Sequence, residues 1–232
     1  MIHNGKQALP YDAAAAVGHL KAADKKLAAL MERAGDFTLK LGHTGTPFDS
    51  LLESILYQQL HGKAAAAIHG RLQAMYGEGD PSPEELLRTP EEQLRGCGVS
   101  GNKIRALRDL AERTVDGTVP TLGAIRKMPD EEIVKRLTAV RGIGPWTVEM
   151  LLIFRLGRPD VFPVTDYGVR KGFLLTFGRA PKTRAVATAD LPKPEAMHKR
   201  AKKWAPWRSV ASWYLWRACD LEAAERKAAQ GK

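Results

Sequence analysis

The chain has little cysteine, no long apolar run and fewer acids than bases. Its two cysteines, Cys97 and Cys219, make no CxxC pair and no four-cysteine set. That excludes an all-cysteine zinc or iron–sulfur site of the usual spacing and gives little reason to expect a disulfide framework, so a reducing, intracellular setting is expected. No apolar stretch is long enough to cross a bilayer. The alanines of MIHNGKQALPYDAAAAVGHL are followed at once by charged positions, unlike the core of a signal peptide. A cytoplasmic protein without a membrane partner follows. Alternation of period two is missing, which argues against strands, and no unit recurs at a fixed period, which argues against a solenoid. The shortfall of acid leaves a net charge of +10 and a pI near 9.7. Such a surface suits a polyanion, nucleic acid being the commonest; a charge that serves only solubility is the alternative.

What is present is helix. The 232 residues allow one large domain or two small ones. One helix is expected from Tyr11 to Ala34, with Val17, Leu20, Leu27, Leu30 and Met31 as its buried stripe and Gly35 as its stop. In TGTPFDSLLESILYQQL, Thr46 is a good N-cap, Pro47 suits the first helical position, and Phe48, Leu51, Leu52, Ile55 and Leu56 share a face. An alanine-rich helix follows the break at His61-Gly62. SPEELL from Ser82 and TPEEQL from Thr89 both read as capping boxes, and MPDEEI opens another helix. GNKIRALRDLAERTV turns Ile104, Leu107, Leu110 and Ala111 inward. From Arg179 to Arg200 the sequence has little periodicity, and its first part is expected to be an exposed loop or a partly disordered segment. A last helix from Pro206 groups Trp207, Val210, Ala211, Tyr214 and Leu215. The fold class is all-α.

RGIGPWT, Arg141 to Thr147, separates two helical runs. EEIVKRLTAV turns Ile133, Leu137 and Val140 inward, and PWTVEMLLIFRL offers Val148, Leu151, Leu152 and Phe154 to a core. Two glycines around Ile143 can make a tight hairpin, with the glycines in backbone conformations costly for other residues. Successive N–H groups left uncovered at a helix start form a seat for an anion. An ordinary αα-corner explains a lone G-x-G equally well. Downstream, in VFPVTDYGVRKGF, Asp166 follows a proline-containing apolar segment and precedes a helix. Alone, it reads as an N-cap.

The pattern L-x-x-V-x-G-I-G-x-x-T over Leu137–Thr147 resembles the helix-hairpin-helix motif, which binds DNA backbone without reading sequence. With V-x-P-V-x-D ending at Asp166, the chain resembles the helix-hairpin-helix DNA glycosylase superfamily. The resemblance spans roughly residues 40 to 220. It implies an all-helical, two-lobed fold with the DNA and base cleft between the lobes. One lobe would comprise 1–45 plus 160–232, and the other 46–159, ending in the hairpin at 137–147. The chain is too short for the N-terminal β-rich domain of larger members. Lyase-competent members carry a lysine two residues after the second glycine; here that position is Trp146, which cannot form a Schiff base. Together with KKWAPWRSVASWYLWRA, this matches the alkylpurine branch, the AlkA-like 3-methyladenine DNA glycosylase II group.

That resemblance assigns roles. Asp166 is the catalytic carboxylate. Trp146, Trp216, Met150 and Tyr214 line the base pocket, Met150 standing where some members have an aromatic; core packing is the alternative for the tryptophans, and Trp204 or Trp207 is expected to be structural. ESILYQQLHGKAAAAI supplies the wedge that fills the gap left by a flipped base, from among Gln59, Leu60 and His61. Gly142, Ile143, Gly144 and Thr147 seat a phosphate, with Lys103, Lys171 and Arg208 as further contacts, although a solvated basic face explains these three nearly as well. The carbonyls of Thr138, Val140 and Ile143 would hold a structural Na+ or K+. Catalysis needs no cofactor, and the partner is double-stranded DNA with alkylated bases, bound by a monomer. An insertion is expected around Lys182–Glu195. Two other functions stay open on the residues: a non-catalytic DNA-binding module, and a bifunctional glycosylase/lyase using a lysine elsewhere, such as Lys171.

Overall fold

Asp24 divides the first expected helix in two, α1 (Ala13–Ala23) and α2 (Lys25–Ala34). Its carboxylate accepts from the N–H groups of Lys26 and Leu27 at 3.1 and 3.4 Å, capping α2. The apolar stripe survives the break: Leu20, Leu27, Leu30 and Met31 are buried, and Val17 is half-buried. The computed structural model describes residues 8–42, 45–77, 79–181 and 184–230. Among them no strand ladder occurs, and no helix is long and apolar enough to cross a membrane. The expected insertion around Lys182–Glu195 lies partly outside the described residues, at 182 and 183.

The chain forms two compact units, Met1–Gly42 with Leu152–Lys232 (the terminal unit) and His43–Leu151 (the central unit). In the central unit, α3 (Pro47–Tyr57) starts with a capping box, Thr46 Oγ1 accepting from the Asp49 N–H and the Asp49 carboxylate accepting from the Thr46 N–H. Helices α4 (Gly62–Met75) and α5 (Pro83–Arg88) follow, the latter capped by Ser82 and Glu85. The box expected at Thr89 does not form. Thr89 Oγ1 donates to the Glu85 carbonyl at 2.8 Å and pairs with the Tyr76 hydroxyl at 2.6 Å, and α6 (Glu91–Gly96) begins after Pro90. Helix α7 (Gly101–Val115) buries Ile104, Leu107, Leu110 and Ala111. Then come α8 (Leu122–Ile125), α9 (Asp130–Leu137) and α10 (Pro145–Phe154). The division at Leu151/Leu152 falls inside α10, earlier than the expected 159/160. The apolar helix simply continues across it, with Val148, Leu151, Leu152 and Ile153 all buried.

The terminal unit adds α11 (Tyr167–Phe177), a 3-10 turn at Thr188–Asp190, α12 (Pro194–Ala201), a second 3-10 turn at Lys202–Trp204 and α13 (Arg208–Gln230). Trp204 is fully buried at its centre, among the rings of Phe162, Phe173 and Phe177. Asp24, 2% exposed, ties the first helices to the late ones. It accepts two bonds from Arg200 at 2.8 Å, one from Lys203 at 3.0 Å and one from the Trp204 indole at 3.3 Å. Burial raises the Asp24 carboxyl, but these donors outweigh it and hold the pKa at about 2.

Candidate functional site

Asp166 caps α11: its Oδ1 accepts from the Val169 N–H at 2.7 Å. The same oxygen accepts from the Trp216 indole N–H at 2.8 Å. Two donors from separate helices therefore fix one carboxylate, which is more than a cap requires. The Trp216 ring also packs against Phe154, centroids 5.4 Å apart. This arrangement depends on glycines in α11 that sequence reading did not single out. A Cβ on Gly168 would lie 2.6 Å from the indole Cδ1, and one on Gly172 would run into the Leu215 carbonyl. Glycine at both positions lets α13 come close enough for Trp216 to reach Asp166. The available signal was the four-residue spacing of the two glycines, which puts them on one helix face.

The loop feeding Asp166 is tied to the start of α13. The Arg208 guanidinium donates to both Asp160 oxygens, at 2.7 and 2.8 Å. Ser209 Oγ accepts from the Val161 N–H at 2.9 Å and donates to the Arg158 carbonyl at 2.6 Å. Arg208, expected as a phosphate contact, is thus paired within its own unit. Lys171 likewise donates to Glu222 at 3.1 Å, and Lys103 to the Leu56 carbonyl at 2.6 Å. All three charges serve as internal ties; each stands beside an acceptor in the same unit. Tyr214 is also corrected. It is 1% exposed, donates to the Gly35 carbonyl and packs on Phe37 and Trp213, because it lies on the buried face of α13.

In the central unit the hairpin is compact. The Ile143 N–H donates to the Val140 carbonyl at 3.1 Å, and the Thr147 and Val148 N–H groups donate to the Gly144 carbonyl. Among the described residues no turn bond takes the N–H of Gly142 or Gly144. Ile143, 4% exposed, and Thr147, 8% exposed, face the core. The two glycines differ. Gly142 has φ +79, which favours glycine, whereas Gly144 has no such angle and a Cβ there would meet nothing within 4 Å. The expectation that both need unusual backbone holds for Gly142 alone; Gly144 keeps a surface bare. Trp146 follows, 48% exposed, and Met150 is half-buried. Thr138 ends α9, its hydroxyl donating to the Val134 carbonyl. Gln59, Leu60 and His61 form an exposed tip after α3, with Gln59 at φ +55. Among the described residues no three His, Cys, Asp or Glu side chains gather as a metal site.

The chain resembles known proteins over most of its length. Residues 52–206 match the family described as HhH-GPD superfamily base excision DNA repair protein. DNA-3-methyladenine glycosylase 1 of Schizosaccharomyces pombe is 37% identical over 205 residues, covering 88% of this chain and 86% of that protein. The structure of the S. pombe 3-methyladenine DNA glycosylase in complex with abasic DNA superposes with a TM-score of 0.73 at 36% identity, covering 88% of this chain and 95% of that one. A DNA-3-methyladenine glycosidase from Bacillus halodurans gives a TM-score of 0.80 at 35% identity, over 90% of this chain and 91% of that one. The chain belongs to the HhH-GPD superfamily of base excision DNA repair proteins.

Proposed function

We propose that Asp166 is the catalytic carboxylate with which this DNA glycosylase removes alkylated bases, 3-methyladenine foremost, from double-stranded DNA. The protein hydrolyses N-glycosyl bonds in base excision repair and leaves an abasic site. The observation that carries the residue assignment is the pair of donors, Val169 N–H and Trp216 Nε1–H, that fixes Asp166 Oδ1.

A single carboxylate suffices for this chemistry. Alkylation at purine N3 or N7 gives the base a positive charge, so it departs as a neutral molecule when the C1′–N bond breaks and takes the electron pair. Positive charge passes to the sugar. Asp166 stabilises that oxocarbenium character and orients a water; the water oxygen bonds to C1′ and its proton leaves to solvent. The target atom is hidden in a stacked duplex, so the nucleotide must first be extruded, at a cost of about a few kcal/mol. The tip at Gln59, Leu60 and His61 fills the gap. The Gly142–Thr147 turn seats a backbone phosphate, and the bare surface at Gly144 supports that part of the reading. Trp146 and Trp216 are aromatic contacts for a cationic base, each face worth about 0.5–2 kcal/mol, and Met150 is a further contact. A Na+ or K+ held by the carbonyls of Thr138, Val140 and Ile143 would add positive charge beside the phosphate; Val140 keeps a second lone pair beyond its bond to Ile143. The protein works as a monomer in the compartment that holds DNA.

Catalysis is monofunctional. Trp146 supplies no amine, and the Lys171 ammonium is paired with Glu222. The test is a panel of duplexes carrying 3-methyladenine, N7-methylguanine, ethenoadenine or deaminated bases, incubated with the wild-type protein. Free alkylated base and an alkali-sensitive abasic site are expected, with no covalent adduct on borohydride treatment. Absence of base release, or a trapped adduct, contradicts the reading.

A further inference from the structure

The turn after α3 is held in a conformation its own residues do not favour. Gln59 lies at φ +55, where a side chain other than glycine is strained and persists only if its surroundings fix it. The Leu60 N–H makes a 3.4 Å bond to the Tyr57 carbonyl, too long to fix the turn alone. Two side chains from the same unit complete the hold. Lys103 Nζ donates to the Leu56 carbonyl at 2.6 Å, placing a cation at the end of α3. Gln58 Nε2 donates to the Gly142 carbonyl at 2.9 Å.

The second bond joins two elements far apart in sequence. Gln58 is the residue immediately before the exposed tip. Gly142 is the hairpin residue at φ +79, and its peptide determines how the N–H groups that follow it point. The preceding peptide is held as well: the Arg141 N–H donates to Asp109 at 2.6 Å, and Asp109 also accepts from Arg113 at 3.0 Å. The hairpin is therefore pinned from α7 at Arg141 and from the end of α3 at Gly142. Nothing in α3 itself needs a carboxamide at position 58, since the helix is already closed by the Gln58 N–H on the Ser54 carbonyl.

We infer that Gln58 is a positioning residue, fastening the Gln59–His61 tip to the Gly142 peptide so that seating a DNA phosphate and inserting the tip into the base stack occur as one movement. This rests on the reading of tip and hairpin as the DNA-holding elements, not on the identity of the lesion or on Asp166. Gln58→Glu keeps the size and removes the donor; Gln58→Ala removes both.

The test uses the full chain and a duplex in which 2-aminopurine flanks a stable tetrahydrofuran abasic site, so that no chemistry is needed to see insertion. At saturating wild-type protein the fluorescence rises. In both variants that rise is expected to shrink about three- to tenfold, the effect of one lost hydrogen bond. Affinity for undamaged duplex and thermal unfolding are expected to stay near wild type, within about twofold in affinity. A wild-type rise in either variant overturns the inference. So does a parallel loss of fluorescence, undamaged-duplex affinity and melting temperature, which marks a purely structural side chain. Base release by the wild type, measured alongside on alkylated duplex, reports separately on the glycosylase assignment.

Discussion

The two compact units use different materials. In the central unit the elements proposed to hold DNA are largely main chain: the Gly142 and Gly144 N–H groups and a strained turn at Gln59. In the terminal unit the candidate chemistry is side chain on side chain, Asp166 held by Trp216 and fitted around Gly168 and Gly172. The contrast follows from the tasks. A phosphate is the same at every nucleotide, so uniform backbone donors serve it; a developing cation at one carbon needs one carboxylate in one orientation. Holding and cutting should then be separable by mutation.

The largest effect comes from removing the frame of the terminal unit. Asp24→Ala leaves Arg200 and Lys203 without their buried partner and should cost about 3–5 kcal/mol of stability. Denaturant melts check this, and base release per folded molecule in the cold should be nearly unchanged. The folded-state pKa of Asp24 lies below its ordinary 3.8, at about 2. Its contribution is therefore fully present above pH 3.8 and is lost as the pH falls through about 2, and an Asp24→Asn protein lacks that part of the acid-unfolding curve.

Next is Trp216→Phe, which keeps an aromatic ring and removes the N–H bond to Asp166. Single-turnover base release should slow by about ten- to a hundredfold, the range for a hydrogen bond to a charged group, with DNA affinity unchanged. Gly168→Ala pushes on the same indole and should lower release by about three- to tenfold; combined with Trp216→Phe the losses should not add. The smallest effect is in the other unit. Gly144→Ala meets open space, so stability should hold within about 0.5 kcal/mol, while affinity for any duplex weakens by severalfold in a salt-dependent titration. A change in release without a change in affinity at Gly144 would erase the contrast.

Sequence patterning carried the helices and both motifs, because apolar period, proline–hydroxyl starts and paired glycines are local signals. Thr46 and Ser82 cap as expected for that reason. Long-range commitments were hidden. Arg208, Lys171 and Lys103 look like any exposed cation until their partners Asp160, Glu222 and the Leu56 carbonyl arrive by folding. Tyr214 shares a helix with Trp216 but faces the core, and the stripe of α13 had already grouped it with Val210 and Ala211. Asp24 interrupts a strong helical pattern because Arg200, Lys203 and the buried Trp204 fix its carboxylate there, and none of that is visible within the first forty residues. Gly168 and Gly172 carried spacing without meaning until α13 was placed.

The separation of holding from cutting is tested most directly by Asp166→Asn, which keeps the cap geometry and removes the charge. Base release from 3-methyladenine duplex and affinity for an abasic-analogue duplex are measured on the same preparation. Release is predicted to fall by at least about 10²–10³ with affinity within about twofold of wild type. Full release, or loss of binding in step with release, contradicts the account.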